Sequence, residues 1–346
     1  MTSMMASLSR ITLHSRGSVN RLLQMRPNNQ LVANRTFKLW YEKTLKLMYN
    51  RSRLLNAVKS PLFHRNTKQE WNIKAELFAF NQRLHENISE ESLKIAFTHQ
   101  SYVDKEVKQR QQLGISDVSI NVKDNNHFIQ IGQNICNSYI KPYLRHFLPR
   151  LPEEGIQAIY DYLMSEEVLS DVAKWIGCID LVLCEDFPPK ESSLAKTTLS
   201  IVGAIAEDNG VKKANNFVLD FILTYILNKD VLEIWQIPNP KFQLRNILNR
   251  QQLSEPEYRL LRESASGTIE ACYVVGIYVD KQLIGSAPGE TIELAKQMAD
   301  LDALRNLFHL KTSQMLFKFG PKAYDIDLSQ TKRESLYLSE WSPNSL

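Results

Sequence analysis

The chain has 346 residues, enough for two domains with extensions, and its 43% hydrophobic content can fill ordinary cores. No apolar run approaches the roughly 18 residues of a membrane span, so no transmembrane helix is expected. The net charge of +4 is unevenly spread: residues 1–69 hold 13 Lys and Arg against the single acid Glu42, a net of +12, which leaves the remaining 277 residues at −8. A basic block ahead of a mildly acidic body reads as a targeting signal or a nucleic-acid arm. The four cysteines, Cys136, Cys178, Cys184 and Cys272, form no CxxC pair and have no histidines at zinc spacing. They read as free thiols in a reducing compartment, not as a disulfide scaffold or a metal site.

Residues 1–35 carry Arg10, Arg16, Arg21, Arg26 and Arg35, five serines and no acid. That composition predicts a mitochondrial presequence, and it lacks the long apolar core of a secretory signal. A disordered basic tail of a cytosolic or nuclear protein is the alternative. Residues 36–69 read as a basic helical arm. Phe37, Trp40, Tyr41, Thr44, Leu47, Met48, Leu55 and Val58 recur at helical spacing, with most of the basic residues off that stripe. Lys43, Lys46, Arg51 and Arg53 are its candidate RNA contacts, since a basic aromatic helix can lie on phosphates. The plainer alternative is the end of the targeting signal.

Residues 70–230 read as nearly all helix. Ile73, Leu77, Phe80 and Leu84 make one amphipathic stripe. Ser89 is an N-cap with Glu90 and Glu91 in the first turn, where the helix dipole favours acids. Pro152 opens another helix, Ser165 caps the next, and Gly177 is expected to end it. Helices over 192–208 and 211–228 complete the set, and residues 185–190 (EDFPPK) form a loop. The centre is 125–140, NNHFIQIGQNICNSYI, where Phe128, Ile131, Ile135, Tyr139 and Ile140 predict a buried amphipathic helix.

That stretch, with IAFTHQSYV at 95–103 ahead of it, resembles the core of the ribonuclease III family, whose signature helix reads N-E-R-L-E-F-L-G-D. Residues 196–204 resemble the second signature, approximately D-T-V-E-A-L-I-G-A. The resemblance implies an all-α ribonuclease III-like domain. It also places Asn126, Ile129, Gln133, Lys196 and Leu199 where active members hold magnesium with carboxylates. Hard magnesium needs anionic oxygen ligands, and the bound ion makes the attacking hydroxide. Two amides, two hydrocarbons and an ammonium supply none, so no catalytic residue, metal or cofactor is expected. His99 is expected to be a hydrogen-bonded packing residue, and His127 to face the surface.

Residues 236–310 change periodicity. A helix over 240–251, strands over 257–263 and 270–279, a tight turn at Asp280–Lys281, a short strand over 282–286 and a helix over 291–307 make a small α+β unit. Pro288–Gly289 is expected to break the last strand. Either the leucine and methionine face of the final helix (Leu294, Met298, Leu301, Leu304) or its Ala295–Ala299 face turns inward. The α-β-β-β-α order resembles the double-stranded-RNA-binding domain, which grips A-form RNA largely by shape. Its usual lysine cluster is reduced to Lys296, and residues 239–309 hold eight bases and nine acids. Lys241, Arg245, Lys281 and Lys296 are the remaining candidate contacts, weighed against ordinary solvated surface charge. Residues 311–346, with Phe317, Phe319, Tyr324, Leu336, Tyr337 and Trp341, read as an extension that orders on a partner, because a merely disordered tail is poorer in aromatics.

Together these departures resemble the ribonuclease III-like proteins of the mitochondrial large ribosomal subunit. The resemblance implies a structural role in the mitochondrion. The implied partners are mitochondrial ribosomal RNA, other large-subunit proteins and a second ribonuclease III-like chain. The alternatives are a mitochondrial RNA-processing endoribonuclease and a free RNA-binding regulator of mitochondrial transcripts.

Overall fold

The computed structural model describes residues 44–51, 71–114, 123–265, 267–310, 317–328, 331 and 333–342. The chain divides into two compact units, Met1–Leu62 and Phe63–Leu346. In the first, residues 44–51 are helical, with Lys46 and Arg51 exposed. The apolar residues Leu45, Leu47, Met48 and Tyr49 are exposed there as well.

The second unit begins with a helical body whose starts follow its caps. In α1 (Ile73–Leu84) the Asn72 side chain accepts from the amides of Lys74 and Ala75. In α2 (Glu90–Phe97) Ser89 accepts from the Ser92 amide, ahead of the two predicted first-turn acids. The two helices meet through an edge-to-face pair of Phe80 and Phe97, ring centres 5.1 Å apart. The next helix, α3 (Gln100–Gln112), buries no residue. The central helix, α4, runs Asn126–Phe147, seven residues past the expected end, with Pro142 inside it. Helices α5 (Glu153–Leu163) and α6 (Glu166–Ile176) follow, the second capped by Ser165 and ended by Gly177 at φ 87°.

Helix α7 (Glu191–Asn209) is buried at Leu194 and Ala195 and then continuously from Thr197 to Ile205. A helix buried on every side belongs at the centre of a core. Glycine brings α7 against α4: a β-carbon at Gly132 would lie 2.1 Å from the Leu199 carbonyl oxygen, and one at Gly203 2.1 Å from that of Phe128. The two backbones are therefore in direct contact along an antiparallel crossing.

Residues 211–228, expected as one helix, change winding twice. An α-helical start, α8 (Val211–Phe217), passes into a widened π-turn at Val218–Ile222 and then into tight 3-10 turns over Leu223–Asn228. A short helix α9 (Val231–Ile234) leads to the second part.

There, α10 (Pro240–Arg250) precedes three antiparallel strands in sequential order, β1 (Glu257–Ser264), β2 (Cys272–Val279) and β3 (Gln282–Gly289), and α11 (Ile292–Leu307) covers the sheet. The expected break at Pro288–Gly289 does not occur: Pro288 pairs with Val274 and Gly289 with Tyr273. β3 is an edge strand, where a proline needs to donate no ladder bond. The small face of α11 turns inward, with Ala295, Ala299 and Ala303 fully buried and Met298 exposed. Gly285 and Gly289 make room for it, since a β-carbon at either would come within 2.6 Å of a backbone nitrogen of α11.

The tail corrects an expectation. The described residues 317–328, 331 and 333–342 pack on the chain's own body. Phe317 and Phe319 pack against Tyr143, whose hydroxyl donates to the Lys318 carbonyl at 2.5 Å. Tyr324 donates to the Asp220 carboxylate. The Glu153 amide donates to the Leu336 carbonyl, and the Ser335 amide donates back to the Glu153 carboxylate at 2.9 Å. That carboxylate is buried against Arg145 at 2.5 Å. Trp341, 2% exposed, donates from its indole to the Arg150 carbonyl and packs edge-to-face on Phe308. Arg250 of α10 closes the strap by donating to the carbonyls of Leu338 and Trp341. The tail thus touches both the helical body and the α+β part.

Candidate functional site

The α4–α7 crossing gathers the positions that the sequence singled out. Ile129 and Leu199 are 8% and 5% exposed, and both belong to the main core. Leu199 presents its carbonyl to Gly132. Asn126, Gln133 and Lys196 are exposed. Asn126 is the first residue of α4, and its amide donates to Asp124 at 2.7 Å. Hydrocarbon at two of the five positions packs the crossing and can offer no ligand atom to a hard cation.

His99 accepts from the Ser101 amide and shares a hydrogen bond of 2.8 Å with its hydroxyl, which caps α3. Burial, and after it the nearby Lys196 ammonium, pushes the imidazole below its ordinary value, against the weaker pull of Asp104. A mostly neutral ring that accepts from a helix N-terminus is a structural part, as the packing expectation has it.

The acids near this region have other tasks. Asp208 accepts from the Ser89 amide at 2.7 Å and from the Ser92 hydroxyl at 3.0 Å, tying the end of α7 to the start of α2. Glu207 lies 3.7 Å from the exposed His127. With Asp124 these two line an open cavity of about 460 Å³ whose other walls include Ile95, Val103 and Phe128. Among the described residues no group of three or more His, Cys, Asp or Glu is arranged to hold a metal ion.

In the α+β part the structure does not gather the candidate RNA contacts into a free basic face. Lys241 sits over the Tyr258 ring, 5.6 Å from its centre. Arg245 lies 3.8 Å from Glu255, and Lys296 pairs with Glu293 at 3.2 Å. Lys281 is exposed in the β2–β3 turn at φ 67°. Sequence reasoning missed the reason Tyr258 is fixed: its hydroxyl donates to Asp300 at 2.7 Å. Asp300 is 2% exposed, and its burial raises its pKa, with the Tyr258 hydrogen bond and Lys241 pulling the other way. No local pattern in the sequence marks that pair, 42 residues apart. Of the arm candidates, Lys46 and Arg51 are exposed, while Lys43 and Arg53 lie outside the described residues.

Two family descriptions match the chain in order. Residues 72–205 match the endonuclease domain of the large ribosomal subunit protein mL44, and residues 235–342 match the MRPL44 double-stranded-RNA-binding domain. The second match takes in the tail strap. The large ribosomal subunit protein mL44 of Caenorhabditis elegans is 29% identical over 87% of this chain and 75% of its own length. Ribonuclease 3 of Listeria welshimeri is 27% identical over 63% of this chain and 92% of its own. Among solved structures, the nuclease domain of ribonuclease III from Campylobacter jejuni aligns at 19% identity with a TM-score of 0.37, covering 44% of this chain and 98% of that one.

Proposed function

Because this chain belongs to the family of the large-ribosomal-subunit protein mL44, we propose that it is a structural constituent of the mitochondrial large ribosomal subunit, binding ribosomal RNA and neighbouring proteins and catalysing no reaction. The observation that carries this reading is the succession of the two family matches over residues 72–205 and 235–342. The hydrocarbon at Ile129 and Leu199 and the cation at Lys196 support the absence of catalysis, since a magnesium-dependent nuclease needs anionic oxygens at such a crossing.

In this reading residues 1–35 are the presequence that brings the chain to the matrix. The arm over 36–69 holds RNA, and 70–230, 236–310 and 311–346 form the nuclease-like domain, the RNA-binding-like domain and its extension. A second ribonuclease III-like chain is a further partner. The arm contributes more RNA affinity than the α+β part, because phosphate contacts scale with unpaired positive charge. Lys241, Arg245 and Lys296 share theirs with Tyr258, Glu255 and Glu293.

Gradient sedimentation of mitochondrial lysate tests the role. The chain should travel with large subunits, and its residence at the top of the gradient would overturn the proposal. Charge reversal at Lys43, Lys46, Arg51 and Arg53 should reduce incorporation, whereas reversal at Lys241, Lys281 and Lys296 should have the smaller effect. The opposite ranking would exchange the two assigned roles.

A further inference from the structure

One end of the three-stranded sheet carries an apolar tip inside a rim of carboxylates. The strand register puts two connections there. Ser264 pairs with Cys272 at the end of β1, and Tyr273 pairs with Gly289 at the end of β3, so the β1–β2 loop and the turn into α11 leave the sheet together. The loop is folded on itself. The Thr268 amide and hydroxyl donate to the Ala265 carbonyl at 3.2 and 2.7 Å, and the Ala271 amide donates to the Thr268 carbonyl at 3.3 Å. Ile269 stands in this loop fully exposed, and Ile292, the first residue of α11, is 42% exposed. Exposed aliphatic side chains at one end of a sheet, rimmed by charge, have the make-up of a protein contact surface.

The rim decides what that surface accepts. Glu263, Glu270, Glu290 and Glu293 are all exposed there. Cross-strand partners share a face of a sheet. Glu263 therefore lies with Tyr273 and Gly289 on the side that α11 covers, since the missing side chain of Gly289 is what admits Ala295. Glu293 has a local reason for its place. It stands in the first turn of α11, where the dipole favours acids, and it pairs with Lys296 at 3.2 Å. Glu263 and Glu270 have no such reason, and among the described residues no cation pairs with them or with Glu290. Arg262 precedes Glu263 and so turns to the opposite face of β1. A phosphate backbone brought to this end meets three unpaired carboxylates and is repelled.

We propose that this end of the sheet receives a basic segment of a neighbouring protein, with an aliphatic side chain covering Ile269 and Ile292 and flanking cations lying over Glu263, Glu270 and Glu290. That the neighbour belongs to the large subunit rests on the ribosomal role above; the polarity of the surface does not. Apolar contact at the centre excludes water, and opposite charge at the rim fixes the register of the incoming segment. The α+β part then serves assembly by holding protein. That use fits bases which are already shared, Lys241 with Tyr258, Arg245 with Glu255 and Lys296 with Glu293.

The test titrates the full chain into a fluorescein-labelled Lys-Leu-Lys-Leu-Lys peptide and follows anisotropy, with Lys-Ser-Lys-Ser-Lys and Glu-Leu-Glu-Leu-Glu beside it. The first peptide should bind saturably with a Kd of about 1 mM or below, the second about tenfold more weakly, and the third not at all. Replacing three acids together, Glu263→Gln, Glu270→Gln and Glu290→Gln, should weaken the first peptide about tenfold, and Ile269→Ser about threefold. These side chains are exposed, so the melting temperature should stay unchanged, and Ile269→Ser alone serves if the triple variant fails to fold. Glu255→Gln, just ahead of the opposite end of β1, should leave binding as it was. Equal weakening by Glu255→Gln would reveal diffuse attraction to an acidic body and overturn the proposal, as would undiminished binding by both variants of the surface. Weaker binding of duplex RNA by Ile269→Ser would also overturn it, by making this end an RNA contact. If the chain sediments with large subunits and the peptide ignores these variants, this proposal alone falls. If the peptide behaves as expected and the chain stays at the top of the gradient, the ribosomal role falls and the surface stands.

Discussion

The α4–α7 crossing and the C-terminal strap hold the same body together by opposite means. The crossing is continuous: two long helices touch backbone to backbone because Gly132 and Gly203 carry no side chain, and core residues fill the rest of the seam. Among its described residues the strap shows no regular structure beyond 3-10 winding at Gly320–Lys322 and at Thr331, and it is held at separate anchors, Phe317, Tyr324, Leu336 and Trp341. The crossing shows that close approach of the two helices depends on the glycines and not on the side chains at the neighbouring positions. The strap shows how aromatic residues without periodicity become legible only once their sockets exist.

The comparison can be broken at its strongest point first. Gly203→Ala would drive a β-carbon to 2.1 Å from the Phe128 carbonyl oxygen, and both partners are helix backbone that cannot give. Overpacking of this kind costs about 3 kcal/mol or more, so urea denaturation should show a large loss or no cooperative transition. Unchanged stability would mean that the helices can separate freely and that the crossing is not the keystone.

Trp341→Ala should come next. The side chain is 2% exposed and wedged between Phe308 and the Arg150 carbonyl, and its loss should cost about 3 kcal/mol. The effect should differ in kind as well as size. Helical circular dichroism should survive at 25 °C, while limited proteolysis should cut the released tail. A global loss of helix would show that the strap and the body are one cooperative unit.

Smaller still, Ser89→Ala should cost about 1 kcal/mol, because it removes the cap of α2 while Asp208 still accepts from the residue 89 amide.

The least effect concerns pH. The folded-state pKa of His99 is depressed by burial first and by Lys196 second, from an ordinary value of 6.5. A depressed group contributes stability that is fully present above its unfolded pKa and is lost as pH falls through the folded one. Acidification from pH 6.5 downward should therefore weaken the body. His99→Asn, whose side chain can still cap α3, should flatten that dependence, as thermal melts across the range would show. An unchanged slope would assign the acid sensitivity to other groups.

Much of the body was legible in the sequence because its signals are local. Ser89, Ser165 and Gly177 stand where cap chemistry puts them, and of the expected stripe Phe128, Ile135 and Ile140 are buried while Ile131 and Tyr139 are half-buried. The rewinding at Val218–Ile222 was not legible, because the apolar run through Phe217, Val218, Leu219 and Ile222 suits an α-helix as well as a π-turn. The face of α11 stayed open on sequence because leucine and alanine stripes both had helical spacing. Gly285 and Gly289, on the opposing strand, decide for alanine by permitting close approach. In the candidate site, Ile129 and Leu199 could be read from position, but the tie from Asp208 to Ser89 and Ser92 at the start of α2 and the Tyr258–Asp300 pair depend on tertiary contacts with no sequence mark.

The account rests most heavily on the crossing being a packing element and not a catalytic one. Incubating the purified chain with long duplex RNA and either magnesium or manganese tests this directly. The RNA should remain uncut, and Ile129→Glu alone should not restore cleavage, because Lys196 and Leu199 remain on α7. Metal-dependent cleavage that is lost on substituting Asn126, Gln133 or Lys196 would contradict the account and make the chain a nuclease.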